Sequence, residues 1–260
     1  MIKTVKFLLE NYANEEEIIN FTFGCSYNDI NEIVVVAPNW ITIFDDYVDE
    51  IIEVSKGTVF NIKYNSIKFT LIRTPMSAAF VGDTILGLSV TNCKKVIFVG
   101  SVGGLDINMK IGDVIIPEYS VCGEGFSRFL TPDLKDCFGE KYYADKELSS
   151  QLFTIANKFV HAPNKIWSGK VFSIDTILGE YININKIINL NCNCIEMETS
   201  AFFNAAQLCN LNASALLMVI DNTVSGNSLL TLLSDEEKKL KHHGKFNTIP
   251  KILLETLTKI

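Results

Sequence analysis

Arginine is almost missing from this 260-residue chain: Arg73 and Arg128 are the only two. A site that needs a forked guanidinium must draw on one of them or on another subunit. The formal charge of -7 and the scatter of the lysines leave no basic stripe, which excludes nucleic acid and anionic membrane surfaces as expected partners. No apolar run is long enough to span a bilayer. The opening MIKTVKFLLENYANEEE turns acidic without a signal-peptide pattern, so a cytoplasmic location is expected. Metal-ligand spacings are absent too. The seven cysteines (Cys25, Cys93, Cys122, Cys137, Cys192, Cys194, Cys209) form no CxxC pair and sit mostly in apolar runs, so they read as reduced, buried thiols. No repeat, low-complexity tract or Pro/Gly/Ser linker divides the chain.

With 48% hydrophobic residues, the chain can bury a large core as one domain. Strand-length apolar runs alternate with helix-period segments, which predicts an α/β fold built on a largely parallel, buried sheet. Strands are expected at 32–37, 58–64, 67–73, 95–99, 113–117, 166–173, 193–196 and 213–220. Helices are expected at 5–12, 43–54, 78–91, 146–159, 182–189, 199–209 and 235–260. Ser234 three residues before Glu237 has capping-box spacing, and Pro250 should kink or divide the last helix. Tyr64-Asn65-Ser66 reads as a hairpin turn, making the sheet mixed. Residues 122–144 lack clear periodicity.

Three segments carry candidate chemistry. Val99-Gly100-Ser101-Val102-Gly103-Gly104-Leu105 leaves an apolar strand through glycines, followed by Lys110-Ile111-Gly112-Asp113-Val114-Ile115-Ile116-Pro117. Such an exit lets backbone N–H groups and the Ser101 hydroxyl approach a ligand, although a turn chosen for packing has the same composition. Ile195-Glu196-Met197-Glu198-Thr199-Ser200-Ala201 places two carboxylates around a methionine at a strand-to-helix junction. A carboxylate there can accept from a vicinal diol while the thioether lies on the sugar; the acids equally suit a helix N-terminus. Val219-Ile220-Asp221-Asn222 ends an apolar strand in an acid and an amide, either at a ligand-binding edge or simply in a turn.

In this order, GSVGGL, KIGDVIIP, IEMETSA and a strand ending in Asp resemble the nucleoside phosphorylase and nucleosidase superfamily of the hexameric purine nucleoside and uridine phosphorylase type, over roughly residues 32 to 260. The Phe98-Val99-Gly100-Ser101 turn and the Asp221-Asn222 pair look closest to a poorly characterised bacterial branch of it. The resemblance implies a three-layer α/β/α sandwich around a mixed sheet, an N-terminal helical extension over 1–31 and a phosphorylase-like domain over 32–260. It implies a pentosyltransferase of nucleoside metabolism, acting on a purine or other ribonucleoside and assembled as a homo-oligomer, dimer or hexamer. No cofactor is expected beyond inorganic phosphate as co-substrate. Hydrolysis by water and a non-catalytic nucleoside binder are the alternatives.

By the same resemblance, Glu198 holds the ribose hydroxyls, Met197 and Met76 flank the sugar, and Asp221 helps protonate the departing base. Glu196, Gly100 and Asn222 fall in the same motifs, and Ser101 is assigned to phosphate. Thr42 and Phe98 stand where the family's phosphate arginines are expected, so Arg73 becomes the best internal cation, with Lys56 as a cross-subunit one. No glutamate occurs between Pro38 and Phe44 to activate water. Ile177 occupies the place of an aromatic ring against the base. Glu124, in Glu124-Gly125-Phe126-Ser127, is either a site residue of that branch or an exposed loop acid.

Overall fold

Alternation along the strands decides which layer each side chain enters. The computed structural model describes residues 3–38, 40 and 43–260. The first strand, β1 (Ile33–Val36), follows helices α1 (Lys3–Asn11) and α2 (Glu15–Phe23). A meander of β2 (Glu50–Ser55), β3 (Val59–Tyr64) and β4 (Ile67–Ile72) leads to α3 (Ala78–Leu88) and β5 (Lys95–Gly104). Then come β6 (Val114–Gly123), β7 (Lys141–Tyr143), α4 (Lys146–Phe159), β8 (Ile166–Ile174), α5 (Ile177–Asn189), β9 (Cys194–Glu196), α6 (Thr199–Cys209) and β10 (Asn212–Asp221). The chain closes with α7 (Asp235–His243), a π-helical turn (Gly244–Thr248) and α8 (Ile249–Leu257).

One face of the sheet sends Val34, Val36, Val96 and Phe98 against α2, α3 and α6, through Phe23, Ile85 and Phe202. The other sends Val35, Ile97, Val99 and Leu216 against α4 and α8, through Leu152 and Leu253. Each such aliphatic side chain, fully buried, contributes about 1.5–3 kcal/mol. This is the expected three-layer α/β/α arrangement on a mixed sheet. Val5, Ile19 and Phe23 of the N-terminal helices lie in the first of these cores.

The sheet also closes on itself. β10 pairs parallel with β5 and antiparallel with β6, β6 runs parallel to β8, β8 to β9, and β9 returns antiparallel to β5. From β5 the open part continues through β1, β4 and β3 to the edge strand β2. The turn at Asn65 is a two-residue hairpin, with Tyr64 opposite Ile67 and Asn65 at φ 54°.

One expectation fails and another holds. The helix over 43–54 is not formed: Ile43 and Phe44 are buried in a loop, and Glu50–Ser55 is a strand. The apolar spacing there mimics a helix, but Ile51, Ile52 and Val54 are β-branched, and Ile51 and Ile52 pair with β3, which tertiary contact favours. The long helix over 235–260 is divided just before Pro250 by the π-helical turn, as expected, and Pro250 sits in the first turn of α8, where proline is tolerated. Ser234 and Glu237 do form the capping box. Asn39, Ile41 and Thr42 lie outside the described residues.

Candidate functional site

The ring closure brings the three motifs to one place. Gly103 of β5 is level with Ile195 of β9 on one side and with Asp221 of β10 on the other. A Cβ at Gly103 would stand 3.0 Å from Ile195 Cγ2 and 3.4 Å from Asp221 Oδ1, so the glycine is what lets the strands and the acid come this close. Around this junction opens a cavity of about 300 Å³. Gly100, Ser101, Glu196, Met197, Glu198, Asp221, Met76 and Ile177 all line it.

The two glutamates of the Glu-Met-Glu element divide. Glu196 Oε2 accepts the backbone N–H groups of Glu198 and Thr199, both at 2.7 Å, and Oε1 accepts the hydroxyls of Ser173 at 2.5 Å and Thr199 at 2.8 Å. Its carboxylate therefore caps α6 in place of Glu198, which makes no side-chain cap bond of its own. Glu196 borders the cavity, and its oxygens are engaged by the helix terminus. Glu198 is the reverse. It is 7% exposed, and its Oε1 has no partner. Burial, then the neighbouring Glu196 charge, push its carboxyl up to about 8.

Asp221, 3% exposed at the end of β10, is pushed up to about 7 by burial and by Glu180, against the opposing pull of Lys241. Glu180 comes from the first turn of α5, accepts from Thr223 Oγ1 at 3.3 Å, and is itself raised by burial. Glu180, Trp40, Lys241 and Lys245 line the cavity without having been singled out in the sequence. Glu180 sits four residues after the α5 cap, Thr176, and the two lysines are four apart in a charged run. Those spacings are the only local signals, and a solvated helix face carries the same ones.

Three expected site residues lie outside the cavity lining. Asn222 is a tie, not a ligand: its amide donates to the carbonyls of Asp106 at 2.8 Å and Met109 at 3.0 Å, and its oxygen accepts from Ser225 N at 3.1 Å. Glu124 is neither exposed nor in the cavity lining. Its oxygens accept from Phe126 N and Ser127 Oγ, both at 2.5 Å, Ser200 Oγ at 3.0 Å, Ser127 N at 3.1 Å and Cys122 Sγ at 3.2 Å. Arg73 is exposed at the end of β4 and does not line the cavity, because the strand ends with that side chain on the solvent side. Arg128 is surface-exposed against Asp136 at 3.7 Å.

Chemically, this is an apolar cleft lined by one carboxylate with an orphan oxygen and by a protonatable acid pair. An unsatisfied buried acceptor costs free energy until a donor reaches it, and a hydroxyl pair supplies two.

A family model described as the phosphorylase superfamily matches residues 44–248. A purine nucleoside phosphorylase of the DeoD type from Bacillus velezensis is 27% identical over 201 residues, 76% of this chain and 78% of its own. Another, from Bacillus subtilis, is 28% identical over 163 residues, 62% of this chain and 65% of its own. Among solved structures, uridine phosphorylase from Vibrio fischeri superposes with a TM-score of 0.75 at 21% identity, covering 91% of this chain and 95% of its own. Purine nucleoside phosphorylase from Toxoplasma gondii, in complex with immucillin-H, gives 0.71 at 18%, covering 90% and 93%. At such identities the structural likeness establishes the fold.

Proposed function

The chain belongs to the phosphorylase superfamily, and on that premise we propose that it cleaves the N-glycosidic bond of a ribonucleoside with phosphate, giving free base and ribose 1-phosphate. The observation that carries this reading is Glu198 Oε1, buried, unpartnered and set beside the methionine Met197 in a cavity that Asp221 also lines. In the proposed reaction the 2′ and 3′ hydroxyls donate to Glu198, and Met197 and Met76 lie against the sugar. The bond from C1′ to the base nitrogen breaks with its electron pair going to the base. Asp221, held protonated to near neutrality, lends its proton to that leaving group, and a phosphate oxygen bonds to C1′. The proton of hydrogen phosphate restores Asp221, so charge and atoms balance.

Hydrolysis is the second reading, and one observation favours it: no arginine lines the cavity among the described residues. An assay of base release over a nucleoside panel, with and without phosphate, separates the two. Phosphate-dependent release with ribose 1-phosphate as co-product is expected. Base release with free ribose in phosphate-free buffer would establish hydrolysis instead, and no release from any nucleoside would leave a binding protein.

A further inference from the structure

Every positive charge in the cavity lining comes from one helical segment. Among the described residues these are Lys241 in the last turn of α7 and Lys245 in the π-helical turn. Neither ammonium makes an ion pair with a carboxylate among the described residues. The two differ in what they touch. Lys245 lies over the Trp40 ring, 5.2 Å from its centroid, in the segment that follows β1, whose last paired residue, Val36, is level with Phe98. Lys241 acts on Asp221, which is level with Gly103.

The placement of Lys245 is built in. A Cβ at Gly244 would run into Met218 Sδ, so glycine lets this segment lie directly against β10. The Tyr47 hydroxyl donates to the Phe246 carbonyl at 2.8 Å, fixing the turn to the loop after β1. Single π-helical turns of this kind recur at functional sites. Lys245 is half-buried, and burial, followed by repulsion from Lys241, lowers the pKa of its ammonium. The Ser101 hydroxyl lines the same cavity and is half-buried; it has no hydrogen-bond partner among the described residues. A partly desolvated ammonium without an ion-pair partner, in one cavity with a free hydroxyl and a glycine, is a receptor for a compact anion.

We propose that Lys245 holds a compact oxyanion, inorganic phosphate in the phosphorolytic reaction, against Ser101 in the cavity, where the lining provides no arginine among the described residues. This assignment rests on the phosphorolytic reading for the identity of the anion and on the geometry alone for the residue. It moves the phosphate cation from Arg73 to the C-terminal segment. The indole of Trp40 forms one wall of the subsite, so occupancy alters its surroundings. The other tryptophan, Trp167, is engaged elsewhere, donating to Asp113 at 2.7 Å.

The test is a titration of the full chain with inorganic phosphate at constant ionic strength, followed by calorimetry and tryptophan fluorescence, with chloride as the blank. Saturable binding is expected in the parent. Loss of one charge-assisted contact should weaken it roughly ten- to hundredfold in Lys245→Met. Lys245→Arg should restore most of the affinity, and Arg73→Ala should leave it unchanged. Thermal unfolding midpoints near the parent's show that the variants fold. Equal phosphate affinity in the parent and Lys245→Met, or no saturable binding in the parent, would overturn the proposal. Base release measured in parallel keeps the two ideas apart. Phosphate-independent release alongside Lys245-dependent phosphate binding would remove phosphorolysis and keep the anion site. Phosphate-driven release indifferent to Lys245 would do the opposite.

Discussion

Two groups of buried carboxylates flank the N-terminus of α6, and they differ in how completely their oxygens are satisfied. Behind the helix, Glu124 and Glu196 together accept nine hydrogen bonds, five and four, and Ser200 and Ser173 link them into one network. On the cavity side, Glu198 keeps an unpartnered oxygen, and Asp221 and Glu180 face each other's charge. The first group resembles a scaffold whose acceptors are all engaged; the second is incomplete without a ligand. Residue type does not distinguish them, since glutamates two positions apart fall on opposite sides. What distinguishes them is which N–H groups the helix start has already used.

The comparison breaks most visibly at Asp221. With its carboxyl raised to about 7, Asp221 in the free protein holds a proton below neutrality and loses it as pH rises through about 7, so kcat/KM should fall over that range. Asp221→Asn should lower turnover by about 10²–10⁴-fold and abolish that limb of the pH profile. Turnover within a few-fold of the parent would place Asp221 with the scaffold.

A smaller effect, on stability, is expected at Glu124. Removing a buried carboxylate strands its donors, at a cost of about 3 kcal/mol or more. Glu124→Ala should therefore shift the urea midpoint strongly, while folded protein keeps its preference among nucleosides. An unfolding free energy within about 0.5 kcal/mol of the parent, the range of an ordinary surface change, would show that the network carries no load.

These differences mark the limit of what could be read from the sequence. The order of the motifs was legible, because glycines at a strand exit and an acid after an apolar strand are local patterns, and ring closure joins them at Gly103. The split between Glu196 and Glu198 was not, since it depends on Ser173, more than twenty residues away. Glu124 is tied in part by Ser200 of α6, seventy-six residues further along the chain. The cavity lysines were hidden for a further reason: Asp235-Glu236-Glu237-Lys238-Lys239 begins a run that reads as a solvated face. Only the approach at Gly244 and the π-helical turn, which leaves no periodic trace, bring Lys245 inward. The strand at Glu50–Ser55 was obscured by apolar positions that satisfy both periods.

Glu198 is where the comparison is sharpest and the expected effect smallest. Because its carboxyl is raised to about 8, ionised acceptance of the sugar hydroxyls requires a proton to leave, so below that pH ribonucleoside binding should release protons and tighten as pH rises. Calorimetric titration of a ribonucleoside and its 2′-deoxy form, in the parent and in Glu198→Gln, tests the account most directly. Hydrogen bonds to a charged group are worth about 1.5–3 kcal/mol, so the parent should prefer the ribo form by more than tenfold, and the variant should lose most of that preference. Equal affinity for both forms in the parent, or an undiminished preference in Glu198→Gln, would contradict it.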